Sequence, residues 1–526
     1  MQADYLNLSR AQDLKNPKEK FLYRFFEIFP GFLSWGTLGG AFILSWLAPV
    51  VVAIFIIAFD LYWLLRISYL SFHQLASYKQ MKKNLKIDWM EKLKSLNPPA
   101  GGKRWPEIYH LIILPMYKEG IDIVKPTLQA LENSNYPQDK MIVVLATEER
   151  AGAFSQKLAK EIKGEFGKIF FRFLITVHPK DIPGEVAGKG SNQAWAAKIA
   201  KEKIIDPLKI LYQNIIVSGF DIDTRVYPQY FACLTWHYLT AKSPLRSSYQ
   251  PIPVYNNNIW RAPAFSRVIS TSGTFWQMMQ QERPEQLVSY SSHSLPFKIF
   301  EDIGFPSDIV SDDSRIFWKS YLAYDGDYKV VPLYYPVSMD AVMAKNLLGT
   351  ALNQYKQQRR WAWGCENIPY VLYGFLKNKK IPLGEKFRHC LNLLDGFWSW
   401  ATCALLIFFL GWLPLILGGE GFNISLLSYN LPRLTGQIMT VAMIGMVTAA
   451  IISMLLLPPR PVGSSPWKNL SMIFQWLLLP LTLIGFGTFP ALDAQTRLML
   501  GKPLGFWVTE KISPPPLGSN QKPNNQ

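Results

Sequence analysis

The stretch Asn214-Ile215-Ile216-Val217-Ser218-Gly219-Phe220-Asp221-Ile222-Asp223-Thr224 runs from an apolar, β-type segment straight into two carboxylates one residue apart. If the strand continued to its end, the period of two would aim Asp221 and Asp223 the same way, beyond the sheet edge. Two converging carboxylates call for a cation between them. Hard oxygen ligands suit Mg²⁺ or Mn²⁺, which keep open positions for substrate phosphates. The competing reading is that the pair merely caps a helix starting near Tyr227.

Working outward, short apolar runs recur at 110–114, 141–145, 170–176 and 214–218, with helical patterns at 124–133, 155–163 and 189–203. Alternation of this kind predicts a mostly parallel sheet covered by helices. Ligands of such sheets bind beyond the carboxyl ends of the strands. The first strand runs into Tyr117 and Glu119, the second into Glu148 and Glu149, and the fourth into Asp221. Three acidic positions are thereby predicted on one rim.

The flanks differ from this middle. Between 32 and 65 the single charged residue is Asp60, and one helix of that length would reach ~50 Å against a hydrocarbon core of ~30 Å. Two spans, 32–48 and 50–66, broken at Pro49, fit better. Three more candidates follow at 397–417, 437–457 and 470–492. The chain divides on this basis into a cytosolic lead-in (1–31), a transmembrane hairpin (32–66), a connector (67–102), a catalytic domain (103–363), an interfacial helix (364–390), a membrane region (391–492) and a cytosolic tail (493–526) whose end is disordered. Basic residues flanking the spans place the chain ends and the catalytic domain in the cytosol. Three final spans would put Arg497, Lys502 and Lys511 outside, so either 470–492 is re-entrant around Pro480 or a fourth span exists.

Lys and Arg number 55 against 38 Asp and Glu, a net +17, which suits anionic lipid or nucleotide phosphates. No zinc-finger or RNA-binding spacing accompanies it, which argues against nucleic acid. Cys233, Cys365, Cys390 and Cys403 form no disulfide pattern, and the six histidines show no metal-site spacing.

From residue 104 onward the chain resembles the cellulose synthase-like, membrane-embedded members of glycosyltransferase family 2. Pro115-Met116-Tyr117-Lys118-Glu119 is similar to the family's Pro-x-Tyr-Asn-Glu turn, with Lys118 for Asn. Glu148-Glu149 stands where the family has Asp-Asp-Gly. Gly188-Lys189-Gly190-Ser191-Asn192 is similar to its Lys-Ala-Gly-Asn segment. Ser272-Gly273-Thr274 resembles its acceptor-binding Cys-Gly-Ser/Thr loop. Ser311-Asp312-Asp313 resembles Thr-Glu-Asp, and Gln357, Arg360 and Trp361 form Gln-x-x-Arg-Trp.

The resemblance implies a GT-A (Rossmann-like) α/β catalytic domain flanked by transmembrane helices. It also implies an inverting transferase at the plasma (inner) membrane, using a UDP- or GDP-sugar and Mg²⁺ or Mn²⁺. Asp313, with Asp312 beside it, is the implied base. Tyr117, Glu119, Glu148, Lys189, Asp221, Gln357 and Arg360 are implied to hold the donor, and Ser272, Gly273, Thr274 and Trp361 the acceptor. Asp221 and Asp223 are the implied metal ligands. The expected product is a β-linked polysaccharide. Two alternatives are a single addition to a lipid acceptor, and a non-catalytic polymer-export or scaffold protein, the latter motivated by Glu148-Glu149. Ser-Asp-Asp is equally a helix N-cap cluster. No appended regulatory domain is evident, and an export or regulatory subunit is left open.

Overall fold

The computed structural model describes residues 4–97, 103–459, 467–505 and 507. The Pro98–Gly102 boundary, Arg460, Lys511 and the tail from 508 on lie outside the described residues. Four strands open the α/β domain: β1 (Tyr109–Pro115), β2 (Met141–Glu148), β3 (Arg172–His178) and β4 (Ile215–Gly219). They are mutually parallel in the order β3-β2-β1-β4. Alternate residues feed two separate cores. Ile112, Leu114, Val143, Leu145 and Ile216 face one layer, and Leu111, Ile113, Ile142, Val144, Ile215 and Val217 face the other. A strand buried on both faces has no polar side to show, which is why these segments read as continuous apolar runs.

The sheet continues in a mixed half. β4 pairs antiparallel with β7 (Ser294–Pro296), followed by β6 (Ser247–Val254), β8 (Lys329–Ser338) and the short β5 (Arg225–Val226). A Rossmann-like parallel half joined to a mixed half is the GT-A class expected from the sequence. β6 and β8 escaped the sequence reading because Pro251, Pro253, Pro332 and Pro336 interrupt them. Proline cannot donate to a ladder, and the β6–β8 register shifts between Gln250 and Ile252.

Among the described residues, five helical segments are long and apolar enough to cross a membrane: Pro17–Leu47, Pro49–Asn84, Leu383–Phe408, Leu426–Leu455 and Asn469–Met499. The first begins well before residue 32, so part of the lead-in is helix. Its first turns pack on the helix Asn367–Lys377, where Tyr23 meets Tyr373 edge-on at 5.5 Å. The break falls at Ala48, with Pro49 at the first turn of the next helix, where its missing N–H costs nothing. Asp60 lies on the buried stripe of that helix with Val52, Ala53, Ile56 and Phe59.

The last segment is irregular, with a π-helical turn at Leu483–Thr488 before the helix Phe489–Met499. Both of its ends rest on the α/β domain. At one end Arg267 donates to Ser471 Oγ at 3.2 Å, and at the other Arg359 pairs with Asp493 at 2.8 Å. A straight crossing would carry the ends to opposite sides of the bilayer.

The expected interfacial helix is Asn367–Lys377. Its apolar residues Ile368, Tyr370, Val371 and Phe375 are spent on protein packing rather than left for lipid. Leu376 on this helix and Leu383 and Phe387 beyond it are exposed, as are Leu347, Leu348 and Leu352 at the start of the helix carrying Gln357, Arg360 and Trp361.

Candidate functional site

The rim beyond β1, β2 and β4 gathers the acidic positions, with one change of geometry. β4 ends at Gly219, and Asp221 and Asp223 lie in a turn closed by the Thr224 N–H donating to the Asp221 carbonyl at 2.9 Å. The two carboxylates are therefore set by a turn and not by strand alternation, and their surroundings differ. Asp221 is partly exposed and accepts from Ser291 Oγ at 2.8 Å. Asp223 is 1% exposed and accepts the Asp340 N–H at 2.9 Å.

Lys189, the first residue of the helix Lys189–Ala200, is the hub. Its ammonium lies 2.9 Å from Asp221 and 3.0 Å from Asp313. Burial alone would lower its pKa, but Asp221, Asp313 and Asp312 outweigh burial and the net shift is upward. Lys189 is thus a fixed cation. Asp312 is 3% exposed, and its Oδ2 has no hydrogen-bond partner among the described residues. Burial first, then repulsion from Asp313, raises its pKa well above the usual carboxylate range, while Lys189 and Arg360 pull it down.

Gly190 makes this packing possible. A Cβ there would stand 2.8 Å from Asp312 Cβ and 2.9 Å from the Pro306 carbonyl. Neither neighbour is the free end of a flexible side chain, so Gly190→Ala must push the two loops apart. The expected cost is ~1–3 kcal/mol of stability together with a marked loss of activity, read by thermal melting and turnover.

The helix Asp312–Ala323 starts at Ser311, whose side chain does not cap it. Ser311 instead donates to the buried Glu366, from Oγ at 2.7 Å and from its N–H at 2.9 Å. Glu366 also accepts Trp363 Nε1 at 2.8 Å, and Ser289 Oγ donates to the Asp313 carbonyl at 2.7 Å. His293, fully buried, has its Nδ1 3.6 Å from Asp313 and 2.9 Å from the Tyr290 carbonyl. Burial lowers its pKa, favouring the neutral ring, although Asp313 pulls the other way.

Tyr117, Glu119 and Glu148 form a neighbouring group on the rim. The Tyr117 N–H donates to Glu119 Oε2 at 2.7 Å, Glu148 pairs with Arg150, and the Arg150 guanidinium sits 4.9 Å from the Tyr117 ring centre. The acid in the second strand's loop is therefore neutralised by its own neighbour.

The acceptor candidates Ser272, Gly273 and Thr274 are not a loop. They lie within the helix Ala264–Gln281, whose apolar side packs inward through Val268, Phe275 and Met278. Gly273 faces Tyr255 and Trp361, since a Cβ on it would lie 3.5 Å from the first and 4.0 Å from the second. The Tyr255 and Trp361 rings are 6.2 Å apart, and the Tyr255 N–H donates to Thr274 Oγ1 at 3.4 Å. Burial, then the charges of Asp221 and Asp223, raise the Tyr255 pKa. Gln357 is buried and accepts from Gln354 at 3.3 Å.

Tyr255, Ser289, Ser291, His293 and Glu366 were not foreseen. The run Tyr290-Ser291-Ser292-His293 carried the only visible signal, a polar cluster just before β7. Ser292 takes φ 64°, a left-handed conformation that non-glycine residues seldom adopt.

Among the described residues no three His, Cys, Asp or Glu gather as a metal site. Two hard carboxylates next to a charge-balanced lysine still suit an ion that draws its remaining ligands from a diphosphate and water.

No family model matches the chain, and no curated protein matches it. Among solved structures, the mannosyltransferase PcManGT from Pyrobaculum calidifontis in complex with GDP-Man and Mn²⁺ is 15% identical, with a TM-score of 0.40, covering 85% of this chain and 98% of its own. S. aureus TarS 1-349 in complex with UDP-GlcNAc is 10% identical, with a TM-score of 0.36, covering 75% and 93%. Likeness at this level leaves the reading of the site to its own geometry.

Proposed function

We propose that the chain is an inverting membrane glycosyltransferase of family 2 that transfers a sugar from a UDP- or GDP-sugar to a glycan acceptor and builds a β-linked polysaccharide. The observation that carries this reading is the Lys189 ammonium bridging Asp221 and Asp313 on the rim beyond the parallel strands. Asp313 is the base. A sugar hydroxyl attacks C1 as the carboxylate takes its proton, while the C1–oxygen bond to the diphosphate breaks and its electron pair leaves with the diphosphate. Attack opposite the leaving group turns an α-linked donor into a β-linked product.

In the free protein Asp313 is tied to Lys189. An arriving diphosphate competes for that ammonium, so donor binding both recruits Lys189 and releases the base. Arg360 adds positive charge on the same side, and its planar fork suits phosphate oxygens. Asp221 and Asp223 would hold Mg²⁺ or Mn²⁺, which when bound supplies positive charge to the departing diphosphate. Tyr117, Glu119 and Glu148 form the nucleotide end of the rim, with Gln357 beside the diphosphate. Trp361, Tyr255, Ser272, Gly273 and Thr274 form the acceptor end, where flat rings suit sugar faces.

Incubating detergent-purified protein with a panel of nucleotide sugars and following nucleotide release tests the reading. Release with one donor and growth of a polymeric product are expected. No release with any donor would favour a non-catalytic scaffold, and one-sugar products would favour a lipid acceptor.

The membrane arrangement belongs to the same proposal. Four helices cross, and the last segment is re-entrant, since both its ends touch the catalytic domain. The chain start, catalytic domain and basic tail then share the cytosolic side of the plasma membrane, in accord with the basic flanks. Asn520→Cys is expected to resist an impermeant thiol reagent added to intact cells. Ready labelling there would reverse the arrangement.

A further inference from the structure

A second concavity, of about 250 Å³, opens between the N-terminal strap and the loop leading to Ser311, and none of the rim carboxylates lines it. Its walls are fixed. The Tyr370 hydroxyl donates to the Leu6 carbonyl at 3.0 Å, and Arg315 donates to the Leu8 carbonyl at 3.0 Å, to Asn367 at 2.7 Å and to the Glu366 carbonyl at 3.2 Å. Arg315 is therefore consumed in holding the strap. Lys319, one turn further along the same helix, is not.

Lys319 is 8% exposed, lines the cleft, and makes no hydrogen bond or ion pair among the described residues. The nearby Asp308 accepts from Ser9 and forms no ion pair with it. Gly304, at φ 74°, lies beside the ammonium, where a Cβ would stand 4.0 Å from Nζ. An ammonium withdrawn from water without a partner is costly, and an entering anion would relieve that cost. Burial lowers the Lys319 pKa, Asp308 opposes that shift and Arg315 adds to it. Leu6, Leu8 and Phe305 add an apolar strip to a wall that Asn7, Ser307 and the Asp308 carboxylate otherwise make polar.

We propose that this cleft is a second ligand site, separate from the donor site, for a small carboxylate or phosphate monoester with an apolar flank, paired through its oxyanion with Lys319. Such a ligand would grip two catalytic loops from behind. The Ser307 carbonyl accepts the Val186 N–H at 2.8 Å, three residues before Lys189, and the Pro306 carbonyl abuts Gly190. The helix bearing Lys319 itself begins at Asp312 and Asp313.

The test is thermal melting of the full chain in detergent, with UDP or GDP saturating the donor site, against rising inorganic phosphate and, separately, hexanoate. A ligand that binds only the folded protein raises the melting temperature in a concentration-dependent manner. At least one probe is expected to do so, phosphate alone indicating a phosphate monoester and hexanoate alone a carboxylate. The shift should vanish in Lys319→Met and survive in Lys189→Met. No shift with either probe, a shift retained in Lys319→Met, or one lost in Lys189→Met would overturn the proposal.

Should Lys319→Met not fold, acylation of Lys319 in the unmodified chain, followed by mass spectrometry, replaces it. Protection by the active probe supports the site, and unchanged labelling refutes it. These are binding measurements, so they stand or fall independently of the transferase reading.

Discussion

Asp313→Asn is expected to bring turnover nearly to zero while nucleotide-sugar binding survives. The Asp313 carboxylate takes two contacts from Lys189, at 3.0 and 3.1 Å, and no other carboxylate shares that ammonium except Asp221. Asparagine keeps the size and one hydrogen-bonding oxygen but cannot accept the hydroxyl proton, so the substitution isolates the base. Loss of a general base costs ~10²–10⁴-fold in rate.

The neighbouring Asp312 provides the contrast. Adjacent residues at a helix start diverge by ~100°, and Asp312 is turned into the protein, where a Cβ on Gly190 would collide with it. Burial and the charge of Asp313 already drive Asp312 toward its neutral form. Asp312→Asn therefore removes little that the proton transfer uses and should cost less, unless the amide disturbs the Gly190 contact. Turnover numbers and donor affinities for the two variants decide it. An inactive Asp312→Asn beside an active Asp313→Asn would move the base to Asp312.

The parallel half of the sheet was legible because strands buried on both faces leave continuous apolar runs, and their loops then place Tyr117, Glu148 and Asp221 on one rim without further information. Lys189 and Asp313 were legible only as motif matches. Nothing in the sequence said that a single ammonium would join them across the 124 residues that separate them.

The supporting contacts were hidden for the same reason. Ser291 reaches Asp221 across 70 residues and Ser311 reaches Glu366 across 55, and such pairs leave no periodic trace. Local conformation misled in two places. Asp221 and Asp223 were read as the end of a strand, but the chain has already turned. Ser272-Gly273-Thr274 was read as a loop from its likeness to a Cys-Gly-Ser/Thr loop, but the apolar spacing of Val268, Phe275 and Met278 holds it in a helix.

Asp223 separates two roles that the sequence could not distinguish. Its carboxylate is buried and accepts the Asp340 N–H at 2.9 Å, so it organises the start of the segment after β8 whatever else it does. Asp223→Ala would leave that amide unpaired, at a cost of ~1–3 kcal/mol, and any loss of activity would be ambiguous. Asp223→Asn keeps an acceptor oxygen for Asp340 and removes only the charge. If Asp223 also faces a divalent ion, Asp223→Asn should melt close to the parent protein yet lose ~10²-fold or more in transfer, the scale of losing one preorganised charge-stabilising group.

Raising Mn²⁺ or Mg²⁺ should restore part of that loss, because the remaining ligands, Asp221 and the diphosphate, still bind the ion, only more weakly. The half-saturating metal concentration, measured in both proteins, reports this directly. Near-parental transfer by Asp223→Asn in the presence of a chelator would show that the carboxylate serves the Asp340 turn alone. The positive charge facing the diphosphate would then have to come from Lys189 and Arg360.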